Sequence, residues 1–143
     1  YWDSDCRGAL FGLTRNTGPA EITKAALESV CYQTCDLLNA ISNDLGHDML
    51  STIRVDGGMS ASNWTMQMLA DLINLPVERP KNLETTALGA AYFAGMQIGF
   101  YPSTEEFAES WKTEKQFSSK MSDVKRERKL LGWKDAVSRT LSK

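Results

Sequence analysis

Histidine, cysteine and proline are scarce in this 143-residue chain, at one, three and four residues. The one histidine, His47, sits in the polar stretch "NDLGHDM" with no companion ligand or nucleophile beside it. That argues against imidazole-based metal or triad chemistry and predicts a solvated loop histidine. Cys6, Cys31 and Cys35 contain no CxxC pair. Cys31 and Cys35 stand one helical turn apart, a spacing a metal can use, but the expected role is that of reduced, apolar fillers in a cytoplasmic protein. No apolar run approaches the roughly 20 residues of a membrane span, and no charged-then-apolar leader opens the chain. Basic residues do not outnumber acidic ones, 16 against 18 for a net charge of −2, which argues against a nucleic-acid binder. An initiating methionine is also missing from "YWDSDCRG", so the expectation is a piece of a longer protein.

What is present is ordinary globular composition: 42% apolar and 24% charged residues, enough to bury a real core. Apolar residues at Ile22, Ala26, Val30, Leu37 and Ile41 predict a helix over 20–41 with one buried face, stopped near Gly46. The β-branched "TIRVDGG" (52–58) reads as a strand ending in a glycine turn. A second helix is predicted over 61–75, with Ser60 or Ser62 as N-cap and Trp64, Met68, Leu72 and Leu75 as its stripe. "LPVERP" reads as a short strand near a sheet edge, because prolines fence it. A third helix follows over 83–100, capped by Thr85 or Thr86. Its Ala87, Gly89, Ala90, Ala91, Ala94 and Gly95 leave the backbone nearly bare, so a closely packed neighbour is expected. The tail opens on a capping pattern, Ser103 or Thr104 before Glu106, and ends in an amphipathic helix with Leu130, Trp133 and Val137. "KRERK" (125–129) reads as a solvated helix face. Strands alternating with helices imply an α/β layer with a largely parallel sheet that continues in sequence beyond these residues.

The stretch "IRVDGGMSASNW" (53–64) carries the most chemistry. A strand-to-helix turn with paired glycines turns backbone N–H groups toward an anion and lets a flat ring slide past. Asp56 could orient the turn or help hold a hydrated metal ion. The plainer alternative is a tight turn needing positive φ, with Asp56 an ordinary turn carboxylate. A dinucleotide reading is also open, since Glu78 lies where a ribose-binding acid would stand, but "GGMSAS" lacks the G-x-G-x-x-G spacing.

These stretches together resemble the FGGY carbohydrate kinases. "GALFGLTRNTGPAEITKAALE" is similar to the family's second signature, and "YQT", "RVDGG", "MQMLADL", "PVERP", "ETTALGAAYFAG" and "GWKDAV" follow in the family's order over essentially the whole chain. Members acting on glycerol fit better than those acting on xylulose or gluconate at "YQT", "VERP" and the tail. The resemblance implies an α/β fold that is part of an actin-like, ribonuclease-H-like ATPase domain. That domain is three-layered with a mixed or parallel sheet, and residues 1–143 hold only the C-terminal portion of its nucleotide-binding lobe. It also implies Mg²⁺-ATP as phosphoryl donor, glycerol as acceptor bound mainly by residues elsewhere, and a homo-oligomeric whole enzyme. By the same resemblance Gly57 and Gly58 receive the nucleotide. Many members carry an asparagine four residues after Gly58; here Ser62 stands there with Asn63 next, and both are candidate nucleotide contacts. The family's catalytic aspartate lies in a glycine–aspartate–glutamine context, and none of the nine aspartates here does. No catalytic residue is therefore assigned, and the chain alone is expected to be inactive. Two other readings are a different FGGY sugar kinase and a stand-alone nucleotide-binding or assembly module.

Overall fold

The computed structural model describes residues 3–45 and 50–142; the expected helix stop at Gly46 and the loop histidine His47 lie outside them. In chain order the elements are α1 (Pro19–Leu45), β1 (Ile53–Arg54), a 3-10 turn (Gly58–Ala61), α2 (Asn63–Ile73), β2 (Val77–Pro80), α3 (Thr85–Gln97), α4 (Thr104–Glu109), β3 (Thr113–Phe117) and α5 (Asp123–Ser138).

The sheet is mixed, in the order β1-β2-β3, with β1 parallel and β3 antiparallel to β2. β2 is therefore the middle strand of the described sheet, not an edge. Its prolines are compatible with that place. Pro76 contributes only a carbonyl, which accepts from Ile53 N–H at 2.9 Å, and Pro80 sits where the pairing with β3 becomes irregular. β3 went unread in the sequence because "TEKQF" is polar, and four of its five residues are exposed.

The core joins α1, α2, β2 and β3 through Cys31, Cys35, Met66, Leu69, Ala70, Leu72, Val77 and Phe117. Helix α1 carries two apolar stripes, and the one expected inside is not the one buried. Cys31 and Cys35 pack inward with Leu27 and Leu38 half-buried, while Ile22, Val30 and Leu37 stay exposed. On α2 the buried side is Thr65, Met66, Leu69, Ala70 and Leu72; of the expected stripe Leu72 is inside, whereas Trp64 is 42% exposed. The helix ends at Asn74, whose φ of 56° lets its N–H return to Ala70 O at 3.0 Å.

Helix α5 docks on α1 through polar groups. Lys129 donates to both Glu28 oxygens at 2.9 and 3.1 Å, and Tyr32 O–H reaches the same carboxylate at 2.9 Å. Trp133 stacks on Tyr32 with centroids 5.4 Å apart and donates to Asp36 at 2.7 Å. Arg126 donates to Asp71 O, Asn74 Oδ1, Ser119 Oγ and Met121 O. The alternating charges of 125–129 are thus not all solvated: Arg126 and Lys129 turn inward, Lys129 to the buried Glu28 carboxylate and Arg126 to several part-buried oxygens.

Helix α3 lies apart from this core. Its N-cap position is Glu84, with no side-chain cap bond; neither threonine caps it, and Thr85 instead donates its hydroxyl to Asp56. Ala87, Ala90, Ala91 and Ala94 are exposed, so the close packing expected of the small residues is met only at Gly95. There a Cβ would run into the Tyr101 ring. Tyr92, Tyr101 and Phe107 form a local aromatic cluster, Tyr92 and Phe107 stacking 4.0 Å apart. Ser103 caps α4 through Glu106 N–H at 3.3 Å, as the sequence pattern predicts.

Candidate functional site

The two glycines of the turn have different reasons for being there. Gly57 has φ of +78°, a backbone state that side chains strain against. Its N–H is spent on Leu83 O at 2.9 Å, and its carbonyl accepts from Ser60 N–H and Ser60 Oγ–H at 3.0 and 2.6 Å. Gly57 is therefore a structural corner tying β1 to the start of α3, and its N–H is not offered to an anion. Gly58 has no positive φ, is exposed, and a Cβ there meets nothing within 4 Å. Nothing in the described residues requires a glycine at 58.

Asp56 accepts from Thr85, so it orients α3 against the turn rather than standing free. No group of three His, Cys, Asp or Glu side chains among the described residues converges on a metal position. Ser62 is the N-cap of α2: its oxygen accepts from Thr65 N–H at 3.2 Å and Thr65 Oγ1–H at 2.9 Å. Asn63, exposed at the first turn of α2, accepts on its Oδ1 from Arg79 Nη2–H at 3.0 Å. The four candidate residues thus lie on one bend, with only Gly58 and Asn63 facing solvent. Glu78, the ribose acid of the dinucleotide reading, is instead a sheet residue. It pairs with Arg54 at 3.6 Å and accepts from Gln116 at 3.3 Å.

Sequence reasoning missed Arg79. It is 6% exposed, and its guanidinium donates to Ser60 O at 2.8 Å, Ala61 O at 3.1 Å and Asn63 Oδ1, with Nε on Glu114 Oε2 at 2.6 Å. The plane also lies over Phe117, 5.4 Å from the ring centroid. The Arg79 hydrogen bond holds the Glu114 carboxyl below its ordinary range. That contribution is present above about pH 4.5 and fades as pH falls through the lowered value. The signal available in the sequence was slight, a single cation beside Glu78 in the short "PVERP" strand, and only its burial shows that it must have partners.

The cysteines play no part in the bend. Burial pushes the Cys31 and Cys35 thiols up to about 11 and about 12, the charge of Glu28 adding to Cys31. Both sit in the core as neutral groups, and Cys31 donates to Leu27 O and Thr65 O at 3.6 Å. No described helix is long and apolar enough to cross a membrane.

Residues 1–98 match the model of the FGGY family of carbohydrate kinases, C-terminal domain. The chain is 59% identical over 142 residues to glycerol kinase of Roseobacter denitrificans, covering 99% of this chain and 29% of that relative. In structure it resembles Plasmodium falciparum glycerol kinase solved with ADP, with TM-score 0.83 and 36% identity over 99% of this chain and 28% of that one. Ligand-bound xylulose kinase from Lactobacillus acidophilus, at TM-score 0.66 and 23% identity over 92% of this chain and 26% of that one, shares the fold. The chain thus spans less than a third of the relatives it matches. Its α/β architecture with a mixed sheet is that of part of the actin-like ATPase fold these kinases share.

Proposed function

This chain belongs to the FGGY family of carbohydrate kinases, and from that premise we propose that the whole protein is a glycerol kinase moving the γ-phosphoryl of ATP to a hydroxyl of glycerol. Residues 1–143 are then the C-terminal portion of its nucleotide-binding domain. The observation carrying this reading is the 59% identity to a glycerol kinase along 99% of the chain. The xylulose kinase likeness, at 23% identity, gives no comparable support for another sugar, and the same colinear match weighs against a stand-alone module. The enzyme is a cytoplasmic homo-oligomer in this reading.

Within it, the bend from Gly57 to Asn63 takes the nucleoside end of ATP. Gly58 supports this best: neither its φ nor any neighbour calls for a missing side chain, while a flat ligand passing the turn does. Gly57 shapes the corner, Ser62 caps the helix beneath it, and Asn63 offers an amide at the rim. Phosphoryl transfer also calls for Mg²⁺ and a base for the acceptor hydroxyl. We assign neither role to a described residue: Asp56, the carboxylate at the turn, is engaged with Thr85. In this reading the metal, base and glycerol contacts come mainly from the rest of the whole protein, and residues 1–143 alone are expected to be inactive.

A coupled assay of the full-length protein with glycerol, xylulose and gluconate tests the substrate. Preference for glycerol is expected, and turnover of another polyol alone would move the substrate while keeping the fold. Replacing Gly58 by Val in the full-length protein should raise KM for ATP about tenfold with the melting temperature little changed. An unchanged KM would remove Gly58 from the site.

A further inference from the structure

The Arg79 guanidinium is a buried cation whose donors are divided among four oxygens on three segments. Nη1 holds the carbonyls of Ser60 and Ala61, Nη2 holds Asn63 Oδ1, and Nε holds Glu114 Oε2 on β3. Arginine carries donors only. The half of the Asn63 amide that faces it must therefore be the carbonyl oxygen, whatever else the asparagine does. The other half is an NH₂ group, a pure donor, on an exposed residue; among the described residues Nδ2 has no partner. The carbonyls held by Nη1 belong to the 3-10 turn that begins at Gly58, so one side chain sets both the course of that turn and the sense of the amide.

Resting on the kinase reading above, we infer that Arg79 is a positioning residue for nucleotide recognition: it fixes the Asn63 amide so that its NH₂ half donates to an acceptor atom of the nucleotide, beside the passage left open at Gly58. Lysine cannot replace it, because a point ammonium lacks the planar fork that reaches three segments at once. Arg79 itself touches no substrate. The acceptor it prepares for is an oxygen or ring nitrogen, and a ligand group that can only donate would be refused there.

A purely structural Arg79 and a positioning Arg79 differ in what they predict for Asn63→Asp. An aspartate would pair with Arg79 at least as well as the amide does, so the fold should be unharmed or firmer. It would however present an acceptor where the nucleotide also needs a donor. In the full-length protein, with glycerol saturating, Asn63→Asp is expected to keep or raise the melting temperature while KM for ATP rises about tenfold or more and kcat changes little. Asn63→Ala, which removes the donor without adding charge, should raise KM about fivefold. Arg79→Lys should raise KM in the same direction together with a lower melting temperature. An unchanged KM for ATP in Asn63→Ala would overturn the inference, even if Arg79→Lys loses activity by unfolding. Wild-type protein that binds no ATP would overturn the kinase reading and this inference together, an outcome distinct from an unchanged KM in the variant.

Discussion

The region around α2 and the region around α3 are built in opposite ways. Helix α2 turns Met66, Leu69, Ala70 and Leu72 into a shared core with α1 and the sheet. Helix α3 is more apolar along its length, yet it buries only Tyr92 and Gly95 and leaves its alanines outside. Its anchors are few: Asp56 and Gly57 hold its N-terminal end, and the Tyr92, Tyr101 and Phe107 rings its far end. The glycine bend sits between the two regions, with Arg79 and Ser62 tying it to the packed side and Leu83 to the loose one. The difference teaches that apolar content alone does not locate a core. What decides is whether a helix's apolar positions meet a partner, and for α3 few do so within the described residues.

Truncation of Leu69 to Ala is the strongest way to test that contrast. It should cost about 3 kcal/mol in chemical unfolding, as a buried leucine commonly does. A loss under about 1 kcal/mol would mean the core has been misplaced. Gly95→Ala sharpens the other side. Its methyl must displace the Tyr101 ring, with a cost of about 1–3 kcal/mol, and that loss should appear mainly in hydrogen exchange of residues 92–107. Uniform loosening throughout α1 and α2 would show that the regions unfold as one. The smallest effect is expected at Gly89, a helix-interior position where a Cβ meets open space. Gly89→Ala should stabilise by about 0.5–1 kcal/mol; destabilisation would mean that something presses on that face.

The legibility of the molecule in its sequence divides along the same line. Helices α1, α2, α3 and α5 and the glycine turn could be read because period, caps and turn chemistry are local. Of the paired cap candidates, Ser62 and Ser103 are the ones that cap, while neither threonine expected at α3 does. Which stripe of α1 is buried could not be read: Ile22, Val30 and Leu37 compete with Leu27, Cys31 and Cys35, and only α2 decides between them. The strand "TEKQF" escaped because its pairing with "VERP" is a matter of backbone bonds and of the Arg79–Glu114 pair, neither of which leaves an apolar pattern. At the site, Gly57 and Gly58 looked equivalent in sequence, and only their φ angles and surroundings separate them. Arg79 was hidden for a related reason. Its importance lies in partners drawn from the bend itself and from β3, the latter 35 positions away.

The clamp between Glu28 and Lys129 joins positions 101 residues apart. Closing so long a loop carries an entropic cost before the pair gives anything back. Contacts of this kind form late in folding, once shorter-range packing has brought the helices together. The clamp should accordingly act as a latch on the finished molecule rather than as a guide to it. Lys129→Met is expected to speed unfolding while leaving the refolding rate nearly unchanged. A variant that refolded slowly and unfolded normally would place the latch in the nucleus instead.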